Sequence, residues 1–179
     1  MARVSKRIVL KNVRFSFLSV FRPKEDLQGR KRYSTTILIP KDHPQVAEVK
    51  AAIKSIIDEC WKGKTAGLHN PLRDGDDKND SNYGREGYAG HYFLNASCPE
   101  ERAPDVVDAS LNKANPADWN SGDYGNVSVV LYDFDVTTKK GVGCGLGNVQ
   151  LVRKGEPLAG GPRADREFAV EAVEPEEDF

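Results

Sequence analysis

Residues 126–136, NVSVVLYDFDV, form the most strand-like run in the chain. β-branched and aromatic side chains dominate it, and nothing in it breaks an extended backbone. TTKKG (137–141) then reads as a turn and VGCGLGNVQLVRKG (142–155) as the returning strand. The face that Tyr132 takes stays open, because the ring sits between Leu131 and Asp133. In the returning strand, Gly141, Gly143, Gly145 and Gly147 alternate, which clears one face for close approach by a helix, a partner or a bent barrel wall.

Working outward from this pair, KRIVLKNVRFSFL (6–18) alternates, with Val9, Val13, Phe15 and Phe17 expected on one side of a first strand. FRPKEDLQGRKR (21–32) reads as a polar, basic loop closed by Gly29, and YSTTILIP (33–40) as a second strand ended by Pro40. Together they predict a hairpin with a long basic tip. The period then changes: Val46, Val49, Ile53, Ile56, Ile57 and Cys60 recur at helical spacing. Asp42 and Gln45 resemble a capping box, Pro44 suits the first turn, and Gly63 stops the helix. Residues 64–87 read as one long loop. YAGHYFLNASC (88–98) resumes strand alternation, DVVDA (105–109) is a short strand at most, and NPADWNSGDYG (115–125) is turn-rich. The sum is five or six strands with one helix between early strands, hence a mainly β antiparallel barrel or sandwich.

Charge is segregated along the 179 residues, although the net value is only −1. Residues 1–64 carry 15 Lys and Arg against 6 acids, and residues 165–179 carry one against seven. A basic first third beside an acidic tail implies an anionic ligand and a segment able to compete with it. The domain is expected over 1–162 and a disordered acidic tail over 163–179, since the tail has too little apolar surface to offset its ordering entropy. Cys60, Cys98 and Cys144 stand far apart with no C-x-x-C spacing, as expected for reduced, inert thiols. No apolar run approaches the roughly 18 residues of a membrane span, and MARVSKRIVL lacks the apolar core of a signal peptide.

Catalytic constellations fare poorly. His43, His69, His91 and the cysteines show no zinc spacing. RDGDDKND (73–80) lacks the ligand pattern of a calcium loop and reads as a surface turn. GVGCGLG (141–147) has neither the spacing nor the following helix of a phosphate-binding loop. No catalytic activity and no cofactor are expected. Basic and aromatic residues remain, and their mixture suits single-stranded nucleic acid, which is held by phosphate contacts and by rings on which bases stack. The candidates are Lys6, Arg7, Arg22, Arg30, Lys31, Arg32, Arg73 and Lys139 for phosphate, and Tyr33, Tyr83, Tyr88, Tyr92, Trp119 and Tyr132 for stacking. Tyr83 and Tyr88 flank Arg85 in a glycine-rich loop that suits a mobile cover, whereas Phe15, Phe17 and Phe93 are expected in the core.

Several stretches together resemble the bacteriophage single-stranded DNA-binding proteins of the OB-fold type. They are KRIVLKNVRFSFLSVFRPKE, GRKRYSTTILIPKDHP, YAGHYFLNAS, GVGCGLGNVQLVRKGEPLAGG and the acidic tail ending in Phe179. The resemblance implies an OB barrel with a helix after the second strand, and places Lys6, Arg7, Arg30 and Tyr132 toward DNA. It implies sequence-tolerant coating of single-stranded DNA in phage replication, recombination and repair, in the cytoplasm of the infected bacterial host. It also implies that Glu174, Glu176, Glu177, Asp178 and Phe179 dock on replication or recombination enzymes, the ring in a pocket and the carboxylates on a basic patch. A homodimer is compatible with this reading. Two other classes compete with it: a metal-dependent nuclease or junction-processing enzyme using Asp74, Asp76, Asp77 and Asp80, and a virion or assembly protein.

Overall fold

The longest strand, β1 (Ser5–Glu25), belongs to two strand pairs at once, and its bends shape the barrel. Its first half pairs antiparallel with β6 (Tyr124–Val136) and its second half with β2 (Lys31–Pro40). The computed structural model describes residues 4–158 and 168–172. Pairing of β1 shifts register between Leu10 and Val13 and again between Ser16 and Ser19, where Asn12 and Phe17 take positive φ of 53° and 49°. Each bulge inserts a residue that reverses the in–out alternation. The buried set therefore runs Ile8 and Leu10, then Val13 and Phe15, then Val20. The expectation that Val9, Val13, Phe15 and Phe17 share one side fails at both ends, since Val9 is 47% and Phe17 46% exposed.

β2 pairs with β4 (His91–Pro99), and β6 with β7 (Lys139–Arg153), both antiparallel. A parallel contact of β4 with β7 at Ser97 and Gly145 closes the five long strands into a barrel. Two-residue strands add to its edges, β3 (Arg73–Asp74) on β4 and β5 (Val106–Val107) on β7. With α1 (Val46–Trp61) after the second strand, this is an OB-fold barrel. The helix buries Val49, Ile53, Ile56 and Ile57 among the inward residues of every long strand.

Local chemistry departs from expectation in three places. Gln45 does not cap α1 with its side chain; its amide bridges β1 instead, accepting from Lys11 N and donating to Val9 O. The helix ends at Lys62 in the left-handed region, followed by Gly63 at φ +79°. The basic loop expected over 21–32 is mostly strand. Only residues 26–30 turn, folded around the Asp26 carboxylate, which accepts from the amides of Gln28 and Arg30 and pairs with the Arg30 guanidinium at 3.0 Å. These contacts, the Arg30 amide first, hold Asp26 below the usual carboxylate range.

The segment between α1 and β4 is a series of tethered turns rather than a loose cover. Lys41 pairs with Asp74 and Asp76 at 2.8 and 2.7 Å, and Arg73 grips Asp80 with two hydrogen bonds. Tyr88, expected to meet bases, is 1% exposed in a second small core with Leu38, Phe93 and Leu158. Its ring meets Phe93 edge-on at 5.1 Å and its hydroxyl donates to Ser16 Oγ. It cannot stack on a ligand without opening that core. The expected boundary at 162/163 and the tail residues Glu174, Glu176, Glu177, Asp178 and Phe179 lie outside the described residues. Tyr88→Ala is expected to cost about 3–5 kcal/mol, the usual penalty for deleting a buried ring, measured as a lower denaturation midpoint.

Candidate nucleic-acid interface

Residues facing out along β6 are the even-numbered ones, Tyr124 to Phe134, while Val127, Val129, Leu131 and Asp133 face in. Tyr132 thus stands on the outer wall, paired across β1 with Ser5 and across β7 with Gly143. A Cβ added to Gly143 would lie 2.6 Å from the Tyr132 ring, and one on Gly145 at 3.8 Å. The ring therefore lies over the strip of β7 that the glycines leave bare. Next along the same strip, a Cβ on Gly147 would meet Ser128 Oγ at 2.3 Å.

An open groove of about 850 Å³ crosses this wall. Its sides are Arg7 and Ser5 of β1, Arg32 of β2, Ser97 of β4, and Arg102 from the turn Glu100–Arg102; Tyr132, Gly145 and Gly147 form the floor. Strand pairing brings these together. Arg7 faces out because it opposes Val130, and the β4–β7 closure sets Ser97 beside Gly145.

The groove arginines are oriented without being neutralised. Arg7 donates to Ser128 Oγ at 3.1 Å, and Arg32 donates to Ser97 Oγ from Nε and Nη2 at 3.3 and 3.2 Å. Neither forms an ion pair among the described residues, whereas Arg30, Lys41, Lys54, Arg73 and Lys154 all do. Unscreened like charges flanking an aromatic floor attract a polyanion carrying planar rings. The thiol nearest the groove, Cys98, points inward, and its pKa is raised by burial.

The other sequence candidates scatter. Lys6 opposes the buried Leu131, so it points to the other side of β1 from Arg7. Arg30 is engaged at the hairpin tip, beside exposed Lys31. Arg73 is occupied by Asp80 and lies over the Phe93 ring at 4.8 Å. Tyr33 packs partly into the core and opens, with Phe21, into a separate cavity of about 600 Å³. Arg22 and Trp119 line a third depression, of about 660 Å³. Tyr92 lies beside α1, its ring 4.6 Å from Lys50 Nζ. Tyr83 is half exposed on the surface turns, and Lys139 opens β7 in an exposed turn. Near that turn His69 packs on Phe134, its pKa lowered by burial and by the neighbouring charges of Lys139 and Arg73.

Sequence reasoning missed Arg102 and Ser97. The only signal for this location was the alternating glycine run. Two acids of the Asp-rich turns share one cation: Lys41 is hydrogen-bonded to Asp74 and Asp76, which lowers both carboxyl pKa values and raises its own. Among the described residues, no group of three or more His, Cys, Asp or Glu could hold a metal ion.

The family of the single-stranded DNA-binding protein of Enterobacter phage Enc34 matches residues 6–179. The chain belongs to that family. A curated relative, putative protein p50 of Acyrthosiphon pisum secondary endosymbiont phage 1, is 36% identical over 169 residues, covering 87% of this chain and 88% of the relative. Within the Enc34 family fold, the solved single-stranded DNA-binding protein of bacteriophage Enc34 superposes with a TM-score of 0.68 at 19% identity, over 90% of both chains. The same protein solved in complex with single-stranded DNA gives 0.66 at 20% identity, over 86% of this chain and 89% of that one. Gp2.5, a single-stranded DNA-binding protein encoded by bacteriophage T7, gives 0.61 at 16% identity, over 98% of this chain and all of that one. At these identities the solved structures share the fold. No helix among the described residues is long and apolar enough to cross a membrane.

Proposed function

We propose that this chain binds single-stranded DNA without sequence preference, as a coating protein in phage replication, recombination and repair inside the infected bacterium. The observation that carries the proposal is the groove itself. One outward tyrosine lies on a glycine floor beside Arg7 and Arg32, which form no ion pair among the described residues. A base stacks on the free face of Tyr132, while Arg7, Arg32 and Arg102 contact the flanking phosphates. Membership of the Enc34 family supports the ligand class. Backbone and stacking contacts of this kind tolerate any base.

The protein acts by binding alone in this reading. The rival reading as a nuclease needs free carboxylates to hold metal ions. Three of the four candidate acids instead hold cations, Asp74 and Asp76 on Lys41 and Asp80 on Arg73, while Asp77 accepts from the Asn79 amide within its turn. Docking of the acidic tail on replication enzymes is part of the proposal, carried by its charge and by Phe179.

Two experiments test the groove. Tyr132→Ala is expected to weaken binding to oligothymidine by roughly 1–3 kcal/mol, the value of one stacked base, with the thermal midpoint little changed. Gly143→Ala should weaken binding in the same direction, since its methyl group would push the ring off the floor. Normal binding by both variants would place the stacking surface elsewhere. Separately, the plot of log affinity against log salt for single strands has a slope of about −0.7 per phosphate neutralised. Changing Arg7 and Arg32 together to Gln should flatten it by about 1.4. An unchanged slope would remove both arginines from the phosphate path.

A further inference from the structure

The outer wall of β6 carries a second tyrosine, with opposite surroundings. Tyr132 has Ser5 and Gly143 as cross-strand neighbours; Tyr124 has Arg14 on β1 and Arg153 on β7. Both guanidinium groups lie against its ring, Arg153 at 3.8 Å and Arg14 at 5.3 Å from the centroid. Arg14 is fixed by donating to the carbonyl oxygens of Gly122 and Glu156 at 3.0 and 2.7 Å. Arg153 is exposed, and its one hydrogen bond among the described residues is a long 3.4 Å contact with Asn12 Oδ1. Neither forms an ion pair among the described residues. Two like charges held on one ring, with no ion pair among the described residues, form an arrangement that an anion completes.

Position ties this cluster to the groove. Tyr132 and Tyr124 point from the same side of one strand, about 26 Å apart along it at about 3.3 Å per residue. The outward residues between them are Asn126, Ser128 and Val130; Ser128 holds Arg7, and Asn126 donates to Gln150 Oε1 at 2.8 Å. A depression lined by Arg7, Ser128, Asn126 and Gln150 lies on the wall between the two tyrosines and reaches neither ring. We propose that Arg14, Tyr124 and Arg153 form a second phosphate-binding station. A strand seated on Tyr132 reaches it only if it is long enough to run the length of β6. The inference rests on the single-strand binding proposed above.

Anisotropy titrations with oligothymidines of about 6 and about 20 nucleotides test it, since OB folds take roughly 4–16 nucleotides each. Arg153→Gln should bind the short strand as the unaltered protein does. On the long strand its salt slope should be flatter by about 0.7, with about threefold weaker binding at low salt. Arg153→Lys, which keeps the charge, should retain most of the slope. Equal slopes for Arg153→Gln and unaltered protein on the long strand would overturn the station. So would equal weakening on both strands, which would mark Arg153 as a support of the fold. If unaltered protein binds neither strand, the single-strand reading itself fails and the station with it. Short-strand binding with unchanged long-strand slopes removes the station alone.

Discussion

A tyrosine ring can lie against the face of a β-sheet only where the adjoining strand carries no side chain to hold it off. In this barrel that constraint is met by Gly143 and Gly145 on β7, opposite Tyr132 and Val130 of β6. Everything proposed for the groove depends on it. A Cβ on Gly143 would lie 2.6 Å from the ring, too close to tolerate without displacing it, whereas one on Gly145 would only touch it at 3.8 Å. The same strand must also close the barrel against β4, and Gly145 does so opposite Ser97. One short glycine run thus serves barrel closure and the seating of the Tyr132 ring together.

Charge is divided with similar economy. Several basic side chains away from the groove are paired to carboxylates: Lys41 with Asp74 and Asp76, Arg73 with Asp80, Lys154 with the buried Asp123. Exposed pairs of this kind contribute little each, but they hold the long segment between α1 and β4 in place over the second small core. Arg7 and Arg32 are oriented by serine hydroxyls, which direct a guanidinium and leave its charge intact. That difference in partner, carboxylate or hydroxyl, separates the basic residues that brace the turns from the two arginines proposed to meet DNA.

Much of the architecture was legible because alternation and helical period report local burial. The β6–β7 pair, the helix with its Val49–Ile53–Ile56 stripe, and the OB-like order of elements all follow from such patterns. Strand faces were less legible. Two bulges in β1 reverse the alternation at Asn12 and Phe17, and a bulge leaves little trace in a sequence without glycine at that point. Basic residues 21–24 looked like a loop because polarity was taken for irregularity; on an exposed hairpin, polarity and strand coexist. Tyr88 could not be assigned to the core because its companions, Leu38, Phe93 and Leu158, are far apart in sequence. For the same reason the groove's members, drawn from five strands and a turn, were legible only in part: Arg7, Arg32 and Tyr132 line it, and the other candidates lie elsewhere on the surface or in the core.

The most direct test of the central claim is to map backbone amide chemical shifts while oligothymidine is added to the intact protein. The account predicts the largest changes at Arg7, Arg32, Ser97, Tyr132, Gly143 and Gly145, with α1 and the turns at residues 74–80 unmoved. Changes gathered at Arg30 and Lys31 or on the Asp-rich turns, with Tyr132 and its glycine floor silent, would contradict it.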